Sequence, residues 1–334
     1  MKRYKVYGLG AALVDTELRV KDDELGRLGV DKGLMTLVDH TRRTELLQAL
    51  EGRMPEAHHA SGGSAGNSLL AAAPFGGRCL MSCRVANDAD GEIYLADLED
   101  AGVSYPPPVH GDETTGKCLV LVTPDAERSM NTFLGASERL GVEQLDEAAI
   151  RDSEYLYIEG YLVSSPTGLA AAVRAREIAE EAGVPVAVSF SDPGMVEHFP
   201  EQFRQIIGNG VDLVFANDAE ACAWTGAATL DEALPALAGT AKRYAITQGG
   251  DGSVCFDGRT LHTIPVHTVK AVDSNGAGDM FAGAFLYALT RGEDFPTAGR
   301  FASLAAGTVV AQWGPRLARE HYGKLRDEFF ARAA

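Results

Sequence analysis

Residues 155–190 read YLYIEGYLVSSPTGLAAAVRAREIAEEAGVPVAVSF. The stretch opens with a short apolar run, Tyr155–Glu159, passes through a segment of helical period, Gly168–Ala182, and closes on a second apolar run, Pro185–Phe190. Apolar runs this short, rich in aromatic and β-branched residues, read as strands, and the longer segment between them reads as a helix. The same alternation extends outward on both sides. Further candidate strands are Lys5–Leu9, Arg78–Cys83, Val211–Phe215, Arg243–Thr247 and Ser253–Phe256. Candidate helices lie near Ala65–Phe75, Gly91–Ala101, Asp218–Thr225 and Leu230–Gly239, and the chain from Ala277 to Ala333 is nearly all helix, broken at Gly292 and Gly314–Pro315. Strands alternating with helices mean parallel βαβ units, so the expected fold is α/β, a doubly wound sheet with helices on both faces.

Two stretches interrupt the pattern. Ala11–Val38 and Thr114–Gly135 carry strand and turn signals with little helix between them. They predict a small separate β-sheet, formed from about 11–38 and 114–135, acting as a lid over the strand carboxyl ends where open α/β sheets bind ligands. The 334 residues fit one large α/β domain, 1–334, with that appendage. Pro106-Pro107-Pro108 reads as a stiff turn within the domain.

Composition excludes several classes of function. Hydrophobic residues make up 46% of the chain, enough for a sizeable core. Lys plus Arg number 30 against 47 Asp plus Glu, a net charge of −17. Nucleic acid and anionic membranes are bound through basic patches, so neither is an expected partner. The five cysteines (Cys79, Cys83, Cys118, Cys222, Cys255) are odd in number and contain no CxxC pair. They read as free thiols, and a cytoplasmic location follows as the expectation. The start, MKRYKVYGLGAALVDTE, lacks the apolar region of a signal peptide, and no apolar run is long enough to span a membrane. The eight histidines are scattered, apart from the adjacent His58-His59, and suggest no metal cluster.

Two glycine motifs fail on inspection. Gly8-Leu9-Gly10-Ala11-Ala12-Leu13 starts like a dinucleotide fingerprint, but Leu13 stands where close helix–strand packing needs a glycine. Gly111–Cys118, GDETTGKC, is one residue short of a phosphate-binding P-loop. It has Cys118 in place of the hydroxyl that would ligate Mg²⁺, and the strand-like CLVLV follows where a helix should.

Phosphate chemistry shows itself in Ala271–Ala284, AVDSNGAGDMFAGA. Gly276-Ala277-Gly278 makes a tight turn into a helix of small residues. Backbone N–H groups at such a helix start form an anion hole that glycines let a phosphate approach. Asp279 would repel a bound anion, which makes sense if it takes a proton from a hydroxyl attacking the phosphoryl group. The plainer alternative is an aspartate capping its helix.

DSNGAGDMF at Asp273–Phe281 resembles the second signature, DTxGAGD, of the ribokinase-like (PfkB) carbohydrate and nucleoside kinases, with Ser274 in place of threonine. Gly62-Gly63-Ser64-Ala65-Gly66-Asn67 resembles the first signature. Asn217-Asp218-Ala219-Glu220 matches the NxxE motif, and Ile246–Gly252, ITQGGDG, the TxGxxG loop. Four motifs in this order implicate nearly the whole chain, and the fold implied is the ribokinase-like one. The resemblance implies Asp279 as catalytic base and Gly276, Ala277 and Gly278 as the anion hole for the γ-phosphoryl of ATP. It implies Thr247, Gly249 and Gly252 at the ATP site, and Asn217 with Glu220 organising Mg²⁺ through water; the same pair also reads as a capping box. Asp273 resembles a residue that in many members helps bind a monovalent cation, and the sequence leaves open whether K⁺ is used.

For the acceptor, Asp15, Gly62, Gly63 and Asn67 match residues that hold sugar hydroxyls in the family, although Asp15 also reads as an exposed turn residue. Val188–Gly194, VSFSDPG, lacks the Asn and Arg of the family's sugar-kinase D-x-N-x-R segment and looks more like the S-x-P segment of adenosine kinases. Tyr155–Ser165 and Arg128–Ser137 also resemble that branch. Leu37, Phe133 and Leu134 read equally well as a slot for a purine base or as plain lid core, and Met130 in RSMN reads as packing rather than contact. The expected activity is ATP-dependent phosphorylation of adenosine to AMP, a purine-salvage step. A kinase for a free sugar such as ribose or fructose, and a catalytically silent nucleoside-binding regulator, are the alternatives. Monomer and homodimer both remain open.

Overall fold

The computed structural model describes residues 2–108 and 113–333, so Gly111 of the P-loop-like motif lies outside the described residues. In chain order the strands are β1 (Tyr4–Leu9), β2 (Leu13–Arg19), β3 (Met35–Leu37), β4 (His58–Gly62), β5 (Cys79–Ser82), β6 (Val103–Ser104) and β7 (Gly116–Val122). They continue with β8 (Arg128–Phe133), β9 (Ser153–Glu159), β10 (Val186–Ser189), β11 (Leu213–Asn217), β12 (Tyr244–Thr247), β13 (Ser253–Phe256) and β14 (Leu261–Ile264).

Among the described residues, nine strands form one sheet in the order β14-β13-β12-β11-β10-β9-β1-β5-β6. It is parallel from β6 to β12 and ends in two antiparallel strands. The continuous apolar runs are explained by burial on both faces. In β9, Tyr155 and Tyr157 pack into one core while Leu156 and Ile158 pack into the other. The first core is closed by the helices Ser64–Ala72, Ala277–Arg291 and Phe295–Val310, the second by Pro166–Glu181 and Pro200–Ile207. The helix Pro166–Glu181 begins where Ser165 accepts from the Gly168 N–H at 3.2 Å and proline occupies its first turn.

A second sheet has the order β3-β8-β7-β2-β4. One face carries Leu13, Cys118, Val120 and Val122 toward the rest of the molecule. The other carries Leu18, Leu119 and Leu121, covered by Leu25 of the helix Asp22–Leu28 and Leu46 of the helix His40–Ala49. The reading of 11–38 as strand with little helix is therefore corrected: an outward apolar face needs a cover, and Asp22–Leu28 supplies part of it. Also unread was β4, whose sequence HHASG has no apolar alternation; it becomes a strand by pairing antiparallel with β2. No helix follows Gly8–Leu13, since Leu13 starts β2, and β7 follows the P-loop-like motif.

Strand order reverses between β1 and β9, which pair in parallel from Tyr4–Ser153 to Leu9–Ile158. The carboxyl ends of strands at such a reversal leave a crevice. No helix among the described residues is long and apolar enough to cross a membrane.

Candidate active site

Two cavities meet at the start of the helix Ala277–Arg291. The inner one, about 60 Å³, is lined by residues that include Asp15, Gly63, Ser64, Asn67, Arg128 and Asp279. The outer one, about 420 Å³, is lined by Thr247, Gly249, Gly252, Ala277 and Gly278 among others. Asp279 faces the inner cavity while the residues just before it face the outer one.

The turn into this helix is set by Gly276, whose φ of 73° puts it in the left-handed region and whose Cα lies against Pro315. Gly276 itself lines neither cavity. The Ala277 N–H closes the turn onto the Ser274 carbonyl at 3.2 Å, and the Met280 N–H returns to the Gly276 carbonyl at 2.8 Å. Among the described residues the N–H groups of Gly276, Gly278 and Asp279 have no acceptor. Of the Gly276–Gly278 amides, those of Gly276 and Gly278 are therefore free among the described residues, that of Ala277 is spent within the turn, and Asp279 adds a further free donor. A Cβ built at Gly278 would meet nothing within 4 Å, so hydrogen there leaves space that a side chain would fill.

Asp279 is held by a second helix. Ser64 Oγ donates to its Oδ1 at 2.7 Å and Asn67 Nδ2 to its Oδ2 at 3.1 Å. Burial pushes the Asp279 carboxyl above its ordinary range, while Ser64, Arg128 and Asn67 restrain the rise. Asn67 Oδ1 is buried with no hydrogen-bond partner, an acceptor left over in the inner cavity. The helix Ser64–Ala72 starts at Gly63, with φ of 85° and no room for a Cβ beside the Ala11 carbonyl.

Asp15 is not an exposed turn residue. It lies in β2, 5% exposed, and no donor among the described residues reaches its carboxylate. Burial and the neighbouring Glu17 push its carboxyl up to about 8. Gly62, paired with Leu13 on the adjacent strand, does not line the cavity; any side chain there would collide with the Asp15 carboxyl group. Met35, Leu37, Met130 and Leu134 form an apolar wall of the same cavity; Phe133 does not line it.

Beside the outer cavity, Thr247 pairs with Asn217 across β11 and β12. Asn217 caps the helix Asp218–Thr225: its Oδ1 accepts from the Glu220 N–H at 2.8 Å, while Glu220 accepts from the Asn217 N–H at 3.0 Å and from Nδ2 at 2.8 Å. The capping-box reading is therefore realised, and both Glu220 oxygens are already engaged. Burial pushes the Glu220 carboxyl up to about 8. Asp273 is fully buried and stitches two loops, accepting from the Asn275 N–H and the Gly314 N–H, each at 2.9 Å.

Three residues near the site had been left without a role. Arg128, on β8, lines the inner cavity and sets its guanidinium among Asp279, Asp192 and Glu220. Glu159, fully buried at the end of β9, accepts from the Ala11 N–H at 2.7 Å and the Ala65 N–H at 2.8 Å, pinning the exit of β1 to the helix that holds Asp279. Ser64 orients Asp279 directly. A carboxylate ending an apolar strand, YLYIE, was the available signal for Glu159; Arg128 had none beyond its place in RSMN.

Residues 33–321 of the chain match the family described as pfkB family carbohydrate kinase. The chain belongs to this family. Within it, the relatives place it in the adenosine kinase-like branch. A solved adenosine kinase from Sinorhizobium meliloti is 36% identical, with a TM-score of 0.92 over 99% of this chain and 100% of its own. A probable sugar kinase from Rhizobium etli CFN 42 is 34% identical, with a TM-score of 0.92 over 98% and 99%. The adenosine kinase of Saccharomyces cerevisiae is 30% identical over 327 residues, covering 92% of this chain and 95% of that protein. The pfkB kinase described here is a ribokinase-like phosphotransferase acting on a hydroxyl group of a nucleoside or sugar.

Proposed function

We propose that this pfkB kinase transfers the γ-phosphoryl group of ATP to the 5′-hydroxyl of adenosine, giving AMP. The observation that carries the reading is the place of Asp279, facing the inner cavity, next to Gly278, facing the outer one. An acceptor hydroxyl in the inner cavity meets the base, and a phosphate in the outer cavity meets the free amides. Asp279 takes the hydroxyl proton as the oxygen attacks the γ-phosphorus and the bond to the β–γ bridging oxygen breaks, releasing ADP, with Ser64 and Asn67 fixing the direction of its carboxylate. Gly278, the Asp279 N–H and Arg128 lie where negative charge grows on the transferring group.

On the acceptor side, the unpartnered Asp15 carboxylate accepts from two vicinal ribose hydroxyls and Asn67 Oδ1 accepts from another. Thr247, Gly249 and Gly252 hold the nucleotide. The donors present fit Mg²⁺ held at second hand: Asn217 and Glu220 already satisfy each other, so Glu220 would act through water rather than as a direct ligand. Bound there, Mg²⁺ would offset charge on the nucleotide phosphates. Asp273 keeps a role beside K⁺ only through the free lone pairs of its two oxygens; a rate ratio between KCl and NaCl measures it.

The second sheet serves as the lid. Pockets for ligands of nucleoside size and above run to about 300–1,000 Å³, so the inner cavity of about 60 Å³ must widen as the lid lifts. That small volume is also what favours the second reading, a kinase for a free sugar. ATP consumption with Mg²⁺ across adenosine, inosine, guanosine, ribose and fructose, with each product identified, separates them. Turnover dominated by adenosine, with AMP as product, is expected. Ribose or fructose dominating would overturn the acceptor while leaving the phosphotransfer intact.

A further inference from the structure

Strand β2 carries Asp15, Glu17 and Arg19 two residues apart, hence on one face. The first two reach the lining of the inner cavity, Asp15 directly and Glu17 through Asn275, and the third holds a neighbouring loop. Asp15 lines the inner cavity. Glu17 Oε1 accepts from Asn275 Nδ2, the side chain just before Gly276. Arg19 stacks on Trp313, 4.4 Å from the ring centre, and the next residue, Gly314, donates to Asp273, which also accepts from the Asn275 N–H.

Glu17 stands out because packing alone does not favour it. Its side chain is 0% exposed. Its Oε2 is buried with no hydrogen-bond partner, and the His58 Nδ1 stands 3.4 Å away. A buried carboxylate with an orphan oxygen is destabilising relative to an apolar side chain of similar size, so its benefit lies in what Oε1 holds. We propose that Glu17 is a positioning residue: through Asn275 it sets the anion turn when β2 is seated on the acceptor, so that acceptor docking and phosphoryl binding are linked by one strand. The inference rests on the phosphotransfer reading above.

A charge-exchange cycle tests it. Asn275→Asp sets a second carboxylate against Glu17, and adding Glu17→Gln restores a hydrogen bond with donor and acceptor exchanged. Asn275→Asp alone is expected to lower kcat about tenfold or more, with KM for ATP and adenosine within about threefold. The double variant is expected to return to within about threefold of the unaltered kinase. Repulsion of the phosphate by the new carboxylate would not be relieved by Glu17→Gln, so a double variant as slow as Asn275→Asp overturns the proposal. Glu17→Leu gives a second arm: a melting temperature unchanged or raised together with kcat about tenfold lower supports a positioning role, and an unchanged kcat overturns it. The unaltered protein is the control. Its failure to phosphorylate any acceptor sinks the phosphotransfer reading and this one with it, whereas an unrescued loss beside an active control sinks this one alone.

Discussion

The two cavities that meet at Asp279 are built from different materials. The inner cavity is narrow and lined by side chains whose polar groups are left wanting: among the described residues the Asp15 carboxylate has no donor and the Asn67 oxygen no partner. The outer cavity is wider and is lined by turns in which glycine exposes the backbone, at Gly249, Gly250, Gly252 and Gly278. A site made of side chains selects, because a wrong ligand leaves buried groups unpaired. A site made of backbone accepts any ligand with a phosphate in the right place. The acceptor side should therefore decide specificity and the nucleotide side should supply rate.

The sharpest way to break that division is at its boundary. Asp279→Asn keeps the shape of the residue and removes the base, so kcat should fall roughly 10²–10⁴-fold while calorimetric binding of adenosine and ATP changes little. An active Asp279→Asn enzyme would end the assignment. Gly278→Ala tests the backbone side. The added Cβ has space in the protein but occupies the place of the phosphate, so kcat/KM for ATP should drop on the order of 10²-fold with no loss of melting temperature. A variant with full activity would move the phosphate away from Gly278.

Asp15→Ala tests the side-chain half. Loss of hydrogen bonds to the acceptor should lower kcat/KM for adenosine by roughly 10–100-fold, at about 1–3 kcal/mol, and leave KM for ATP unchanged. An equal rise in both KM values would show that the halves are not separate.

The smallest expected effect is on stability. Burial raises Asp15 and Glu220 to about 8 and Glu17 and Glu159 to about 7. Above about pH 5 the unfolded chain has released these protons while the folded protein still holds them. Their stabilisation is complete below the unfolded values and is lost as pH rises through 7 and 8. The ligand-free melting temperature should therefore fall between about pH 5.5 and 8.5. A rise across that window would contradict the picture of four desolvated carboxyls.

The same contrast explains what could be read without a structure. The outer cavity follows from local chemistry: a tight turn into a helix at Gly276–Asp279 and a capping box that fixes the helix at Asp218–Thr225 are each written within a few residues. Seven of the nine strands of the large sheet were legible for the same reason, while β6, of two residues, and the edge strand β14 were not. The inner cavity was legible only in part, because its supporting contacts span long distances. Glu159 reaches Ala65 across 94 residues, and Glu17 reaches Asn275 across 258. Strand β4 was hidden because an edge strand of polar residues has no pattern until its partner is known. The helix Asp22–Leu28 was hidden by its shortness and an internal Gly26.

Strand β1 lies between β5 and β9, with Leu9 paired to Ser82 and Ile158. During synthesis, β1 cannot be completed on both sides until β9, at Ser153–Glu159, has followed. The hydrogen bond from Ser64 to Asp279 closes a loop of 215 residues. Contacts of such sequence separation form slowly and keep apolar strand surface exposed while they wait. The sheet thus stays half-built until β9 has been made, and the candidate site is assembled only once Asp279 has followed Ser64.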